Sequence, residues 1–143
     1  MLSLKHASIG AALLLAGAMI ATAQTGETPP TIEGAKTVTA AEAKSLIDKG
    51  GIVLDVRAAK TFAEGRVPKA KSIRAAYNDK TKEFDPTTFG TNKDAVIVIY
   101  GHGSDGWTAV DATKSAAKAG FMQVHWMRGG WVEWTKAGLP VEK

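Results

Sequence analysis

The amino-acid sequence predicts an α/β domain with a mostly parallel central sheet flanked by helices. Segments typical of strands and of helices alternate along the chain, an order that calls for crossover connections between parallel strands. Two short apolar runs rich in branched residues, IVLDV (52–56) and AVIVIY (95–100), are typical of strands buried on both faces. The chain has 143 residues, a length at which we expect one such domain.

The N-terminal segment, residues 1–23, is typical of a secretory signal peptide. Lys5 precedes an apolar run over residues 9–21, and small residues around Ala23 offer a cleavage site. The run is shorter than the roughly 20 residues that a membrane span requires. We therefore expect cleavage after Ala23 and a periplasmic or secreted protein without a membrane span, with an uncleaved membrane anchor as the alternative.

The domain is expected to occupy residues 37–143. Residues 24–36 include a double proline and are predicted to form a flexible linker before it. The first helix is predicted to follow Thr39, because Thr39 and Glu42 have the spacing of a capping box and Gly50 can end the helix.

The remaining elements alternate in the same way along the chain. The polar stretch at residues 77–94 is expected to be irregular, with Asp85-Pro86 able to start one helical turn. After the first apolar run the sequence predicts a short helix at 58–65, a strand at 70–75, the strand at 95–100, a helix at about 107–119 ended by Gly120, a strand at 122–127 and a short helix at 130–138.

Composition excludes several classes of function. The sequence has no cysteine, so neither a disulfide nor thiol chemistry is available. Its 18 Lys and Arg against 14 Asp and Glu give a net charge of +4, and these positive charges form no stripe that a nucleic acid would require. His6, His102 and His125 lack metal-ligand spacing, so we expect no metal site. We expect no other cofactor.

The loop GHGSDG (101–106) has the G-x-G-x-x-G spacing of a dinucleotide-binding turn, and it lies between a predicted strand and a predicted helix. Such a turn should open the first βαβ unit, and an acidic residue about 20 positions later should bind the ribose. Here the loop lies late in the chain, and Arg128 follows the next strand where the acid is required. The sequence therefore argues against a dinucleotide site.

Four segments in order resemble a rhodanese domain. The first is a D-V-R sequence that closes the first buried strand, and the second is a partial match to G-H-I-P-G-A. The third is the glycine-rich loop after the second buried strand. The fourth, near the end of the chain, consists of G-G, a tryptophan and G-L-P-V. The resemblance covers roughly residues 37–141. The matching residues outside the loop are Asp55, Val56, Arg57, Gly65, Arg66, Val67, Pro68, Ala70, Gly129, Gly130, Trp134, Gly138, Leu139, Pro140 and Val141.

The resemblance implies the fold and the chemistry of the loop. In active rhodaneses the residue just after the central strand is a cysteine that takes a sulfane sulfur from a donor such as thiosulfate and forms a persulfide. That position falls here at Gly101 or Gly103. With no cysteine in the sequence, the resemblance implies no catalytic residue for sulfur transfer, and the cysteine phosphatases that share the scaffold are excluded as well.

A narrower resemblance links the chain to exported rhodanese-like proteins associated with quinoprotein alcohol oxidation in bacteria. Their loop carries a cysteine pair followed by tryptophan, and Trp107 matches that tryptophan. The two cysteines would fall near His102 and Gly106. This resemblance implies a scaffold role, with an exported oxidoreductase as a partner.

The loop retains chemistry without a thiol. Successive N–H groups in a glycine-rich turn at a helix N-terminus form an anion-binding concavity. The sequence therefore predicts an oxyanion loop supported by Asp55, Arg57, Trp107 and Arg128; the loop itself consists of Gly101, His102, Gly103, Ser104, Asp105 and Gly106. The alternatives are a tight turn with no ligand, in which Ser104 and Asp105 cap the helix, and a purely structural ion pair between Asp55 and Arg57.

The predicted function is a non-catalytic, exported rhodanese-like module that binds a small oxyanion or a protein partner. The alternative is an enzyme without a cysteine, either related to the sulfurtransferases or a hydrolase in which His102 activates Ser104. A third class is a purely structural partner of an exported oxidoreductase.

Overall fold

A computed structural model describes residues 24–143; the predicted signal peptide and its cleavage site lie outside the described residues. Helices and strands alternate over this part of the chain, as the sequence predicts. The strands are β1 (Lys36–Val38), β2 (Ile52–Asp55), β3 (Lys71–Ser72), β4 (Tyr77–Asn78), β5 (Glu83–Phe84), β6 (Val96–Tyr100) and β7 (Gln123–Met127). The helices are α1 (Ala40–Asp48), α2 (Ala59–Glu64), α3 (Trp107–Lys118) and α4 (Gly130–Lys136), with 3₁₀ turns at Arg74–Ala76 and Pro86–Phe89.

The central sheet has five parallel strands in the order β1-β7-β6-β2-β3. The α/β class and the mostly parallel sheet are therefore confirmed. Asp55 at the end of β2 lies opposite Tyr100 at the end of β6, and Tyr100 lies opposite Met127 at the end of β7. This register brings the carboxyl ends of the three inner strands to one edge of the sheet, the edge at which open α/β sheets bind ligands.

The core lies on both faces of the sheet. Along β6 the side chains alternate, so that Ile97 and Ile99 pack into one buried cluster with α3, while Val98 and Tyr100 pack into a second with α1 and α4. This burial on both faces accounts for the uninterrupted apolar sequence of the strand. Among the described residues, none of the helices has the length and apolar character needed to cross a membrane.

Local sequence signals account for most element boundaries. The capping box at the start of α1 is present: the N–H of Glu42 donates to the Thr39 side chain, and the Glu42 carboxylate accepts in return. Pro86 begins its 3₁₀ turn behind Asp85, whose carboxylate accepts from the N–H of Thr87. Both features were predicted from the sequence.

The structure differs from the sequence prediction at three places. The strand predicted at 70–75 is reduced to the two residues of β3, because a 3₁₀ turn begins at Arg74. The stretch at 77–94, which was expected to be irregular, contains the antiparallel β4-β5 hairpin. β1, three residues long, was not predicted, because so short a strand carries no periodic pattern.

Candidate functional site

A pocket lies at the carboxyl ends of β2 and β6, beside the start of α3. Its cavity volume is about 250 Å³. The lining contains two arginines and a histidine but no Asp or Glu, so it is a candidate site for an anion rather than a cation. The residues that line it are Val56, Arg57, Ala58, Thr61, Arg74, Gly101, His102, Gly106, Thr108 and Ala109.

A buried ion pair between Asp55 and Arg57 lies beside this pocket, at the carboxyl end of β2. Asp55 is fully buried, and its carboxylate accepts from Arg57 Nη2 at 2.7 Å and from Arg57 Nε at 3.0 Å. The hydroxyl of Tyr100 donates to the same carboxylate and accepts from the N–H of Val67 at 3.1 Å. Burial, together with the charge of Asp55, raises the pKa of the Tyr100 hydroxyl above its usual range, so this hydroxyl remains a donor.

Arg57 has unused hydrogen-bonding capacity. Its Nη2 also donates to the carbonyl of Gly65 at 2.7 Å, and its guanidinium lies 4.5 Å from the ring centre of Trp131. The residue is only 6% exposed, yet its Nη1 has no hydrogen-bond partner. A buried unpaired donor costs about 1–3 kcal/mol, and more when it is charged, so this nitrogen weakens the stability of the buried pair. The predicted ion pair is present, and Arg57 also lines the pocket.

The carbonyl groups of the loop are held by the rest of the protein. The oxygens of Gly101 and His102 accept from the first-turn N–H groups of α4, at Trp131 and Val132, each at 2.9 Å. The next three carbonyls also accept hydrogen bonds, those of Gly103 and Asp105 within the turn and that of Ser104 from Thr28. By contrast, the N–H groups of residues 102–105 donate no hydrogen bond to the described part of the chain. This arrangement fits an anion-binding turn.

The segment predicted as a flexible linker is in fact bound to the domain in part. Thr28 is buried, and both its N–H (2.9 Å) and its hydroxyl (2.6 Å) donate to the carbonyl of Ser104. Arg128 donates to Glu27 and to the carbonyl of Thr28, at 2.9 and 2.7 Å. The indole N–H of Trp107 donates to the carbonyl of Gly26. Tertiary hydrogen bonds therefore order a stretch whose local composition indicates flexibility. We call residues 26–29 the N-terminal strap.

Two residues that were expected to support the loop make contacts with the N-terminal strap. Arg128 and Trp107 were expected to support an anion at the loop, but their polar atoms bind the N-terminal strap, and neither residue lines the pocket. The predicted capping by Ser104 and Asp105 is wrong as well. The N-cap of α3 is Gly106, with no side-chain cap, and the Ser104 hydroxyl donates to Glu27 at 3.0 Å.

Only some of the remaining loop residues line the pocket. Gly101, His102 and Gly106 line the pocket, whereas Gly103 and the exposed Asp105 do not. His102 therefore lies at the site, while the Ser104 hydroxyl binds the strap, so the predicted pair of Ser104 with His102 is not assembled. Among the described residues, no group of three or more His, Cys, Asp or Glu side chains could hold a metal ion.

Sequence reasoning missed three polar residues of the pocket: Arg74, Thr108 and Thr61. Arg74 Nη1 approaches the Thr108 hydroxyl at 3.4 Å, and its guanidinium lies 5.1 Å from the ring centre of Tyr77. The Tyr77 hydroxyl in turn donates to Asp111 on α3, at 2.7 Å. One signal was available for Arg74: it lies near the carboxyl end of the strand predicted at 70–75, and residues at the carboxyl ends of parallel strands meet at one edge of the sheet.

Comparison with known proteins identifies the fold family. The family model described as "Rhodanese-like domain" matches residues 39–137. The chain therefore belongs to the rhodanese-like domain family, and it is a member without cysteine.

Solved structures agree with this assignment. The BH2092 protein of Bacillus halodurans is 31% identical over 75% of this chain and 76% of its own, with a TM-score of 0.60. The Alr3790 protein of Anabaena sp. is 26% identical over 73% of this chain and 90% of its own, with a TM-score of 0.59. A thiosulfate sulfurtransferase of Pseudomonas aeruginosa shares the fold at 20% identity and a TM-score of 0.59, this chain matching 20% of its length.

The close approach of α4 to the loop at residues 101–106 can be tested by substituting Gly130. Gly130 has a φ of +58°, and a Cβ built on it would lie 2.5 Å from the carbonyl oxygen of Gly101. Gly138 has a similar φ of +68° but no atom within 4 Å of a built Cβ. We predict that Gly138→Ala costs about 1 kcal/mol of unfolding free energy through backbone strain alone. Gly130→Ala should cost about 1–3 kcal/mol more, because overpacking is added to the strain.

Urea denaturation of the two variants and the parent measures this difference. Equal losses for the two variants would mean that the loop and α4 can separate without cost, contrary to the contacts described above.

Proposed function

We propose that this protein is a non-catalytic rhodanese-like module that binds a small oxyanion in the pocket beside loop 101–106. The observation that carries the proposal is the lining of this pocket, which combines Arg57, Arg74 and His102 with no Asp or Glu side chain. An oxyanion suits such a lining, because hydrogen bonds between ionised groups are the strongest that proteins form.

The two arginines contribute in different ways. Asp55 already balances the charge of Arg57, so Arg57 offers a fixed hydrogen-bond donor rather than a net charge. Arg74 lies 3.7 Å from Asp79, a pair of partly exposed side chains whose interaction is weak. The attraction for an anion therefore comes mainly from Arg74 and from the N-terminus of α3, both of which lie at the pocket.

The missing cysteine supports binding rather than turnover. Gly101 directly follows β6 and lines the pocket, whereas Gly103 does not line it. This favours Gly101 as the position that corresponds to the family's catalytic cysteine. A glycine there supplies no nucleophile, and no other position of the chain supplies a thiol.

The enzymatic alternatives lack a supporting contact. A hydrolase would require Ser104 beside His102, but the Ser104 hydroxyl binds Glu27, away from the pocket that His102 lines. An exported oxidoreductase partner rests on the narrower sequence resemblance alone. It becomes the favoured proposal if the pocket binds no small anion.

Anion titration tests the proposal. Sulfate, phosphate and thiosulfate, added at constant ionic strength, should raise the melting temperature of the purified protein and change its tryptophan fluorescence saturably. Arg74→Ala should weaken this binding about three- to tenfold, since one partly exposed charged donor is lost.

Arg66→Ala is the matched control for this titration. Arg66 is also paired with a carboxylate and stacked on an aromatic ring, 4.8 Å from the ring centre of Phe62, but it does not line the pocket. Its substitution removes the same charge and should leave anion affinity unchanged. If both variants weaken anion binding equally, the effect of Arg74→Ala comes from the change in net charge alone. If none of the three anions gives a saturable response, the proposed function is excluded.

Sulfurtransferase assays test the absence of catalysis. Incubated with thiosulfate and cyanide, the purified protein should produce thiocyanate no faster than the uncatalysed mixture, because no thiol can carry the sulfur. A rhodanese that retains its cysteine serves as the positive control. Thiocyanate produced in proportion to protein concentration would overturn the non-catalytic assignment.

Export is proposed from residues 1–23 alone. Expressed with these residues in a Gram-negative host, the protein should be recovered from the periplasmic fraction with a mass that corresponds to a chain beginning at Gln24. Recovery of the full-length chain from the membrane fraction would favour the uncleaved anchor instead.

A further inference from the structure

We infer that the N-terminal strap is the positioning element of the anion site, so that docking of the strap onto loop 101–106 and binding of an anion in the pocket strengthen each other. This inference rests on the proposed function and concerns the regulation of that same site. It follows from the points at which the strap is attached, from the missing side-chain cap of α3 and from the exposure of the strap itself.

The strap is attached on both sides of Gly106, which lines the pocket. Before Gly106, the N–H and the hydroxyl of Thr28 donate to the carbonyl of Ser104, at 2.9 and 2.6 Å. After it, the indole N–H of Trp107 donates to the carbonyl of Gly26 at 3.0 Å. Release of the strap therefore frees the chain on either side of a residue that lines the pocket.

Local contacts alone leave this turn without a side-chain anchor. Gly106 is the N-cap of α3, and no side chain caps the helix there, although such a cap is the usual local anchor of a helix start. The turn is also tight: the N–H of Gly106 donates to the carbonyl of Gly103, and a Cβ built on Gly106 would lie 2.9 Å from that oxygen. A displacement of Ser104, which lies between these two residues, therefore also moves the N-terminus of α3, and that terminus attracts an anion.

Arg128 holds the strap in this position. Its Nη2 donates to the carbonyl of Thr28 at 2.7 Å and to the carboxylate of Glu27 at 2.9 Å, and its Nε donates to the Thr28 hydroxyl at 3.2 Å. The Glu27 carboxylate also accepts from the hydroxyl of Ser104 at 3.0 Å. Glu27 and Thr28 thus each connect Arg128 to the loop. Arg128 and Thr28 act on an anion through the loop and are positioning residues.

The strap can open while the domain stays folded. Gly26 and Glu27 are exposed, and Thr28 is the buried residue of the strap. Behind the strap, Ile32 is buried in the core and fixes the chain. Terminal segments held mainly by hydrogen bonds open at a lower free energy than the core. If the docked strap favours anion binding, the anion must favour the docked strap by the same factor.

Amide hydrogen exchange at Thr28 measures the docking of the strap, because this N–H is bonded to the loop. We expect saturating sulfate, added at constant ionic strength, to slow this exchange about five- to tenfold, a factor within the range typical of coupled sites. The control is the N–H of Ala35, which donates to the carbonyl of Ile32 at 3.1 Å behind the strap. Its exchange, followed by NMR in the same samples, should be unchanged.

Substitution of Thr28 tests the same coupling from the side of the strap. Thr28→Lys places a charged side chain in a buried position beside Arg128, so the strap should undock. The affinity for sulfate should then fall by about the factor measured for exchange, although the variant gains a positive charge. Thr28→Ser retains the hydroxyl and should retain the affinity of the parent.

Thr37→Lys is the matched control for Thr28→Lys. The Thr37 hydroxyl donates to the carbonyl of Pro30 at 2.9 Å, so this variant adds the same charge and removes a hydrogen bond behind the strap. Its sulfate affinity should not fall. Melting temperatures of all variants establish that they fold.

Thr28→Val covers a failure of Thr28→Lys to fold. It keeps the shape of the side chain but loses the hydrogen bonds with Ser104 and Arg128. The amide at position 28 should exchange about two- to tenfold faster than in the parent, and sulfate should slow it by the parental factor.

The other outcomes separate the inference from the proposed function. Saturable sulfate binding with no change in Thr28 exchange overturns the inference and leaves the oxyanion module intact. Equal slowing at Thr28 and Ala35, or equal weakening by the two lysine variants, also overturns the positioning role. Absence of sulfate binding by the parent excludes the proposed function, and the inference with it.

Discussion

The buried ion pair of Asp55 and Arg57 is the interaction on which the carboxyl edge of the sheet depends. It joins β2 to β6 through the Tyr100 hydroxyl and to the turn after α2 through the carbonyl of Gly65. Removing two charges from water costs several kcal/mol per ion, which only good geometry and further hydrogen bonds repay. The carboxylate here receives donors from Arg57 and Tyr100, so its desolvation is compensated. The guanidinium is compensated except at Nη1, which has no hydrogen-bond partner among the described residues.

The shape of the loop is determined by backbone contacts rather than by a side chain at its centre. The N–H groups of α4 hold two of its carbonyls, Thr28 holds a third, and Gly130 permits the close approach of the helix. None of these contacts involves the side chain at position 101. A glycine at that position therefore changes the chemistry of the pocket without removing the forces that hold the loop in place. This explains how an intact pocket can coexist with the absence of a thiol.

Short-range signals predicted much of the fold and part of the site. The branched apolar runs of β2 and β6, the capping box at Thr39 and the spacing of Asp55 and Arg57 are local, and each corresponds to a feature of the structure. The errors arise where distant segments meet. Ser104 resembles a helix cap in sequence, but Thr28 and Glu27, 76 and 77 positions away, determine its hydrogen bonds. Arg74 lines the pocket from a 3₁₀ turn that follows β3, and no periodic pattern in the sequence predicts that it lies there.

Binding and catalysis are separable at such a site. Catalysis requires interactions that strengthen in the transition state, and covalent bonding to a nucleophile is the extreme case. The polar side chains that line the pocket here are donors, which an anion would engage equally well in its ground state. Because Asp55 balances Arg57, the positive charge of the pocket lining comes mainly from Arg74.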